Sequence, residues 1–427
     1  MKLKFDHYKF NKAISNGVPV LWKRIPWAND FAYLRIMMRV GARHDPMGKE
    51  GTAHFLEHLP FDGCNGWPTE KTVKSVSRHL FHNSLNASTN FERTVYTGAL
   101  GLGDLGRGID FLTAAITSPL LKLGDIERER KIITREIWRA YQNQSRQDLE
   151  KKIRILLYGK QHPWGRQERA FGWVDTVAHI TPTDLRNFYD EHYHRGNLQI
   201  LCVGDLTRAN VKQIDRLTQA VSKGVPIPEP PMVKHWPNPE VGELEISARK
   251  YFGMKGQSAL EEAGITIFRL LPKLRNDATL FLGCRMMSAL LFEAIRSEFG
   301  GTYTPQVSTT NFRDHTRASI RIGVSPEKID SIKAIIRRLI DEISGRYIRH
   351  RKLFTQVKST ILFHKLHIDI SADEITDRSM EELANEGYIN TNMDDYREVD
   401  RVDYKDVAKL FAEQFRPEQL FCCVLTK

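Results

Sequence analysis

His54, Glu57 and His58, in the run HFLEH, are the residues of this chain whose types and spacing point most directly to chemistry. On an α-helix, positions four apart share a face, so both imidazoles can approach one cation, with Glu57 beside them. Imidazole nitrogen is a favoured zinc ligand, and a catalytic zinc takes three protein ligands and leaves one position for water. A carboxylate next to that water can take its proton. The glutamate precedes the second histidine, which inverts the HExxH order found in many zinc proteases. With 15 histidines and 52 acidic residues in 427, a random chain would carry HxxEH in at most about 6% of cases. The pattern is suggestive alone and needs a third ligand from elsewhere in the fold.

The stretch ERKIITRE offers two carboxylates, Glu129 and Glu136, seven positions apart and therefore on one helical face. Glu136 can complete a metal site, while Glu129 can accept a hydrogen bond from a ligand histidine's other ring nitrogen. By spacing alone, Glu127 or surface ion pairs to Arg130 or Arg135 serve equally well. Pro60 stands two positions after His58 and biases Leu59 away from helical geometry, so the helix carrying the pattern is expected to stop or kink there.

The elements that must hold these residues are legible in part. VPVLWKRI after the turn pair Asn16-Gly17, AYLRIMMRV before Gly41, and LQILCVGDL read as strands. From Asp125, placed to cap it, to about Leu157 the periodicity predicts one long helix, with Ile126, Ile133 and Ile137 on its buried face. Six prolines lie between Val221 and Glu243, which forbids a continuous helix and suits an extended linker. Two domains follow, 1–220 and 245–427, joined by a linker over 221–244. Their ends are alike. At one constant offset Asp184 falls on Asp406, Phe188 on Leu410, Glu191 on Glu413, Tyr193 on Phe415, Leu198 on Leu420, and Thr94 on Thr316. The expected architecture is α+β: two related domains, each a mostly antiparallel sheet with helices packed on it.

Hydrophobic residues make up 41% of the chain and charged residues 27%, which fits folded globular domains and excludes extensive disorder. The five scattered cysteines, without CxxC spacing, suggest a reducing compartment and no disulfide framework. The first residues show no apolar signal core and no arginine-rich transit pattern, so the expected location is cytoplasmic. ATLFLGCRMMSALLFEAI is interrupted by Arg285 and reads as too short and mixed to span a bilayer. The net charge of +11 suits acidic partners in general, but no nucleic-acid motif accompanies the basic run RYIRHRK, and no nucleic-acid partner is expected.

Several blocks in order give the chain a family likeness: NGVPVLW, VGARHDPMGKEGTAHFLEHLPFDG, LNASTNFERTVY, ERKIITRE, and HPWGRQERAFGWVDTVAHITPTDLRNFYDEHYHRGNLQILCVGD. The chain resembles the pitrilysin or insulinase family of inverted-motif zinc metallopeptidases over nearly its whole length. Carried over residue by residue, the resemblance implies His54, His58 and Glu136 as ligands of one zinc ion per chain. It implies Glu57 as general base and Glu129 as the carboxylate behind a ligand histidine. Asn86 and Ala87 fall where such enzymes present an edge strand to the substrate backbone. AIRSEFGGTYTPQ resembles the segment contributing an arginine and a tyrosine to the scissile carbonyl, here Arg296 and Tyr303. The glycine-rich segment of non-catalytic partner subunits is absent, its place taken by LGCRMMSALLFEAIR.

The function so implied is a zinc endopeptidase acting on peptides or unfolded polypeptide segments. Family members of this length pair, as homodimers or with a related subunit, so that four domains enclose a chamber. Two alternatives stand beside it: a non-catalytic assembly or peptide-binding subunit, and a presequence-processing peptidase. The last calls for an acidic chamber, which a net charge of +11 does not supply by itself.

Overall fold

The computed structural model describes residues 8–141, 144–167, 169–228, 242–247, 264–274, 277–300, 304–345, 348–366 and 371–426. Alternating residues of β-branched and aliphatic type build a first sheet from β1 (Asn11–Ser15), β2 (Val18–Arg24), β3 (Phe31–Met38), β4 (Asn86–Thr89), β5 (Thr94–Gly101) and β6 (Leu198–Gly204). The β1–β2 hairpin turns on Asn16 and Gly17, both left-handed at φ 50° and 85°, the backbone that a two-residue hairpin turn requires. Its strands run in the order β1-β2-β6-β3-β5-β4, antiparallel except for β2 beside β6. The second sheet comprises β7 (Glu243–Ser247), β8 (Gly264–Pro272), β9 (Gln306–Asn311), β10 (His315–Gly323) and β11 (Phe421–Thr426), ordered β7-β11-β8-β10-β9. Here β7 and β11 form the parallel pair. Strand for strand, β7-β11-β8-β10-β9 repeats β2-β6-β3-β5-β4, the α+β duplication that the matching chain ends foretell.

The period of two in β3 sends its residues to two different surroundings. Leu34, Ile36 and Met38 enter the main core with α1 (Thr52–His58), α2 (Glu70–His79), α3 (Leu105–Thr117), α4 (Leu123–Tyr141) and the helix Pro182–His192. Met37, on the other face, joins Leu21, Val95 and Leu201 in a smaller cluster with Met380 and Leu383. These two come from the helix Ala372–Glu386, far along the chain. Arg35 on the same face is buried and bonds Asp377 at 2.8 Å and Asp373 at 2.5 Å of that helix. The compact units accordingly do not follow a single cut in the chain. One consists of His7–Glu229 with Ile370–Ile389, and the other takes Pro230–Asp369 and Asn390–Lys427. A buried guanidinium and an apolar sheet face both need covering, and a helix from the later half supplies both. β7 also begins inside the segment read as linker, most of which lies outside the described residues.

Two further expectations change. The stretch expected to be helical from Asp125 to Leu157 is helical over α4 and over α5 (Gln144–Tyr158), with residues 142–143 outside the described residues; α4 starts at Leu123, so Asp125 lies within its first turn, bonded to Arg128 at 2.8 Å rather than capping. Ile126, Ile133 and Ile137 are fully buried as the periodicity requires. The apolar segment read as too short for a bilayer forms a helix of 22 residues, Ala278–Phe299, long and apolar enough to cross one by length and composition. Its Leu280, Leu282, Met286, Met287, Leu291 and Ile295 are buried in the second core, against Ile265 and Ile267 of β8 and Ile320 and Ile322 of β10. Period-3.6 burial in a two-layer unit accounts for that hydropathy. All five cysteines are free and buried.

Candidate metal centre

The HFLEH residues lie on α1 (Thr52–His58), a helix of seven residues. Ala53, Phe55 and Leu56 are buried in the main core, which leaves His54, Glu57 and His58 together on the remaining side. Its N-cap is Gly51, at φ 104°, a left-handed backbone that glycine adopts without penalty. A Cβ there would also meet the carbonyl oxygen of Phe171 at 2.6 Å. With no side chain at the cap, the first amides turn to a distant acceptor. Asp45 receives the N–H of Gly51 at 2.7 Å and of Ala53 at 2.8 Å.

At its other end α1 stops at His58, as Pro60 predicts, but without a kink. Leu59 keeps a helical φ of −63° and ψ of −33°, and residues Leu59–Phe61 tighten into one 3-10 turn. The proline lacks only an amide hydrogen that a tightening terminal turn can spare. The direction of His58 is set instead by α4: its Nδ1 lies 2.8 Å from Oε2 of Glu129. Glu129 sits on the core-facing side of α4 with Ile126 and Ile133 and is nearly inaccessible. A carboxylate so placed requires a partner, and His58 is one.

Two turns further along, Glu136 is about one-third exposed and faces both histidines. Its Oε2 is 3.2 Å from His54 Nε2 and 3.9 Å from His58 Nε2. Ligand atoms around a tetrahedral zinc with bonds near 2.05 Å stand about 3.3 Å apart; the Glu136–His54 pair matches that spacing and the Glu136–His58 pair is somewhat wider. Glu57 Oε2 lies 3.2 Å from His54 Nδ1, and ligand atoms of His54, Glu57 and His58 fall within 4.8 Å of one another. Glu127, which spacing alone admitted, is turned to Arg130 at 3.2 Å.

Burial works against a charge on His54, but the hydrogen bonds to Glu136 and Glu57 outweigh it and carry the imidazole up to about 9. The bond to His54 in turn holds the Glu136 carboxyl below its usual range. Beneath these residues Tyr96 of β5 and Tyr193 pair through their hydroxyls at 3.2 Å. Burial first, and the nearby Glu57 charge in addition, keep both phenols protonated well above their ordinary range.

Asn86 and Ala87 lie on β4, the last strand of its sheet, which packs beside α1. Its hairpin tip is pinned by Arg43, whose guanidinium bonds Glu92 at 2.8 Å, 3.0 Å and 3.1 Å, both side chains nearly buried. Arg296 is exposed near the end of the helix Ala278–Phe299 in the second unit, and Tyr303 lies outside the described residues. Sequence reasoning passed over Asp45, Tyr96 and Tyr193. Asp45 lies nine positions before His54, beyond the reach of local capping rules, and the tyrosines meet only when β5 and the end of the helix Pro182–His192 are brought together.

Comparison with known proteins identifies the family and the fold. A family model described as insulinase (peptidase family M16) matches residues 26–162, and one described as the peptidase M16 inactive domain matches 179–348. A Rickettsia felis protein described as an uncharacterized zinc protease is 23% identical over 87% of this chain and 87% of its own length. Among solved structures, the periplasmic protease PqqL from Escherichia coli superposes with a TM-score of 0.79 at 19% identity, covering 100% of this chain and 48% of that one. A protease from Helicobacter pylori gives a TM-score of 0.77 at 18% identity, covering 98% and 99%. The chain thus spans about half the length of the Escherichia coli protease and nearly all of the Helicobacter one.

Proposed function

Because the chain belongs to the insulinase family of peptidases, carrying both of its domain types in sequence, we propose that it is a zinc-dependent endopeptidase of peptides and unfolded polypeptide segments. The observation that carries this reading is the convergence of His54 Nε2, His58 Nε2 and Glu136 Oε2 from two helices, with Glu57 alongside. The name zinc protease borne by a relative of matching length supports the same assignment.

His54, His58 and Glu136 would hold the ion, and Glu129 holds His58 in the tautomer that leaves Nε2 free to coordinate. Zinc bound there would supply a Lewis acid for the scissile carbonyl and a water acidic enough to attack near neutral pH. Glu57 accepts the proton of the attacking water and returns it to the departing amine. β4, an edge strand, receives the substrate backbone by strand addition, with Asn86 and Ala87 lining it. This selects extended, unfolded peptide and excludes folded domains. Arg296 and Tyr303 would donate to the carbonyl oxygen as charge develops on it. A homodimer, or a heterodimer with a related subunit, would enclose the site and complete it with the second unit of the partner.

Metal analysis of the purified protein, together with peptide cleavage by the native chain and by Glu57→Gln, tests the proposal. Native protein should hold one zinc per chain. Glu57→Gln should keep that zinc and lose cleavage by about 100-fold or more. A native chain without stoichiometric zinc, or a Glu57→Gln variant cleaving at the native rate, would overturn it.

A further inference from the structure

A helix of seven residues has few intrahelical bonds of its own, and α1 is bounded by a glycine cap at one end and a 3-10 turn at the other. Its direction must come in part from outside, and Asp45 receives two of the amides at its start. That carboxylate is 2% exposed and faces three donors: Ala53 N–H on Oδ1, and Gly51 N–H and the Gln167 side-chain amide, at 3.0 Å, on Oδ2. Gln167 is likewise buried, and the same amide nitrogen donates to the Ala42 carbonyl at 2.7 Å. Arg166, next to it, donates to the Asp45 carbonyl at 3.1 Å and to Glu50 Oε1 at 3.4 Å. Its own carbonyl accepts the Trp173 indole N–H at 2.6 Å.

The segment before Asp45 is fixed at the other side of the pocket. Ala42 and Arg43 donate their N–H groups to the carbonyls of Asn90 and Phe91 at 3.0 Å and 2.9 Å, continuing the β4–β5 hairpin. Gly41 allows this approach, since a Cβ there would meet the Asn90 oxygen at 2.3 Å. Residues 41–50 thus run from the tip of the edge hairpin to the first turn of the helix bearing His54.

We propose that Asp45, clamped by Gln167, is the positioning residue that sets α1 against the edge hairpin and thereby aims His54 at the metal. The inference rests on the peptidase reading for what binds at His54, but on this chain's own hydrogen bonds for how His54 is aimed. A wholly apolar residue at position 45 would fill the same space without giving the helix a direction. A buried carboxylate surrounded by donors fixes both ends of each bond.

Asp45→Asn separates these roles, because asparagine keeps the volume but replaces one acceptor oxygen with an NH2 that faces donors. The full chain should fold with a native circular-dichroism spectrum and bind Zn2+ about tenfold more weakly in chelator competition. The d–d bands of the Co2+-loaded variant should shift or weaken, reporting altered ligand geometry that a loss of stability alone would not produce. Gln167→Met, which leaves the two backbone bonds to Asp45, should show the same changes at about threefold in affinity. Native zinc affinity and an unchanged cobalt spectrum in folded Asp45→Asn would overturn the proposal. If Asp45→Asn does not fold, native values in Gln167→Met overturn it instead. Should the native chain bind neither Zn2+ nor Co2+, both this proposal and the peptidase reading fall. Native binding with unaltered variants removes this one alone.

Discussion

Replacing Glu129 tests whether the metal pocket depends on a residue that would not touch the ion. Its Oε2 accepts from His58 Nδ1 at 2.8 Å, a bond to an ionised acceptor of the kind that contributes about 1.5–3 kcal/mol, against about 1 kcal/mol for a neutral pair. In Glu129→Gln the amide oxygen can still accept, so the expected loss is the difference, about 1 kcal/mol or roughly fivefold in zinc affinity. In Glu129→Ala, Nδ1–H is left in a pocket where His58 is itself only 17% exposed, and the imidazole is free to rotate or change tautomer. The loss should then reach about 10- to 100-fold. The other contact of Glu129 adds little. Arg128 approaches its Oε1 at 3.6 Å but has closer partners in Asp62, at 2.5 Å, and Asp125, at 2.8 Å. Chelator competition on the folded variants, with thermal unfolding of the metal-free chains as control, measures the effect. Glu129→Ala binding zinc within twofold of the native chain would refute the role given to this carboxylate.

Three further outcomes are expected. With His54 raised to about 9 in the metal-free chain, the proton on it stabilises the fold fully below about 6.5, and that stabilisation is lost as pH rises through 9. Zinc competes with the same proton, so between about 7 and 9 its affinity should rise about tenfold per pH unit from His54 alone, with near one proton released on binding. Calorimetry in buffers of different ionisation enthalpy counts that proton, and no release at pH 8 would contradict the assignment. Pro60→Ala should leave zinc affinity unchanged within about twofold, since Glu129 and not the proline sets His58; a larger loss by chelator competition would place the control in the turn. Gly51→Ala should destabilise the chain by about 2 kcal/mol or more, because it combines a φ of 104° with a 2.6 Å approach to the Phe171 oxygen. Denaturant unfolding of the metal-free protein would show it, and a loss below about 0.5 kcal/mol would mean the turn relaxes freely.

What the sequence determined by itself was set by neighbours along the chain. The hairpin at Asn16-Gly17, the buried isoleucines of α4, the end of α1 at His58 and the placing of two imidazoles on one helical face all follow from local backbone preference and side-chain period. The duplication was legible too, because equivalent strands face equivalent cores and retain apolar residues at equal spacing. Only the tertiary structure decided which carboxylates approach the histidines: Glu129 and Glu136 meet them because α4 packs across α1, while Glu127, equally acceptable by count, turns to Arg130. It also decided that Asp45 would cap a helix whose own cap position carries no side chain, and that Ala372–Glu386 would return to cover Arg35 and Met37. A buried carboxylate or guanidinium finds its partner by proximity in space, and the sequence distance between such partners is free to take almost any value.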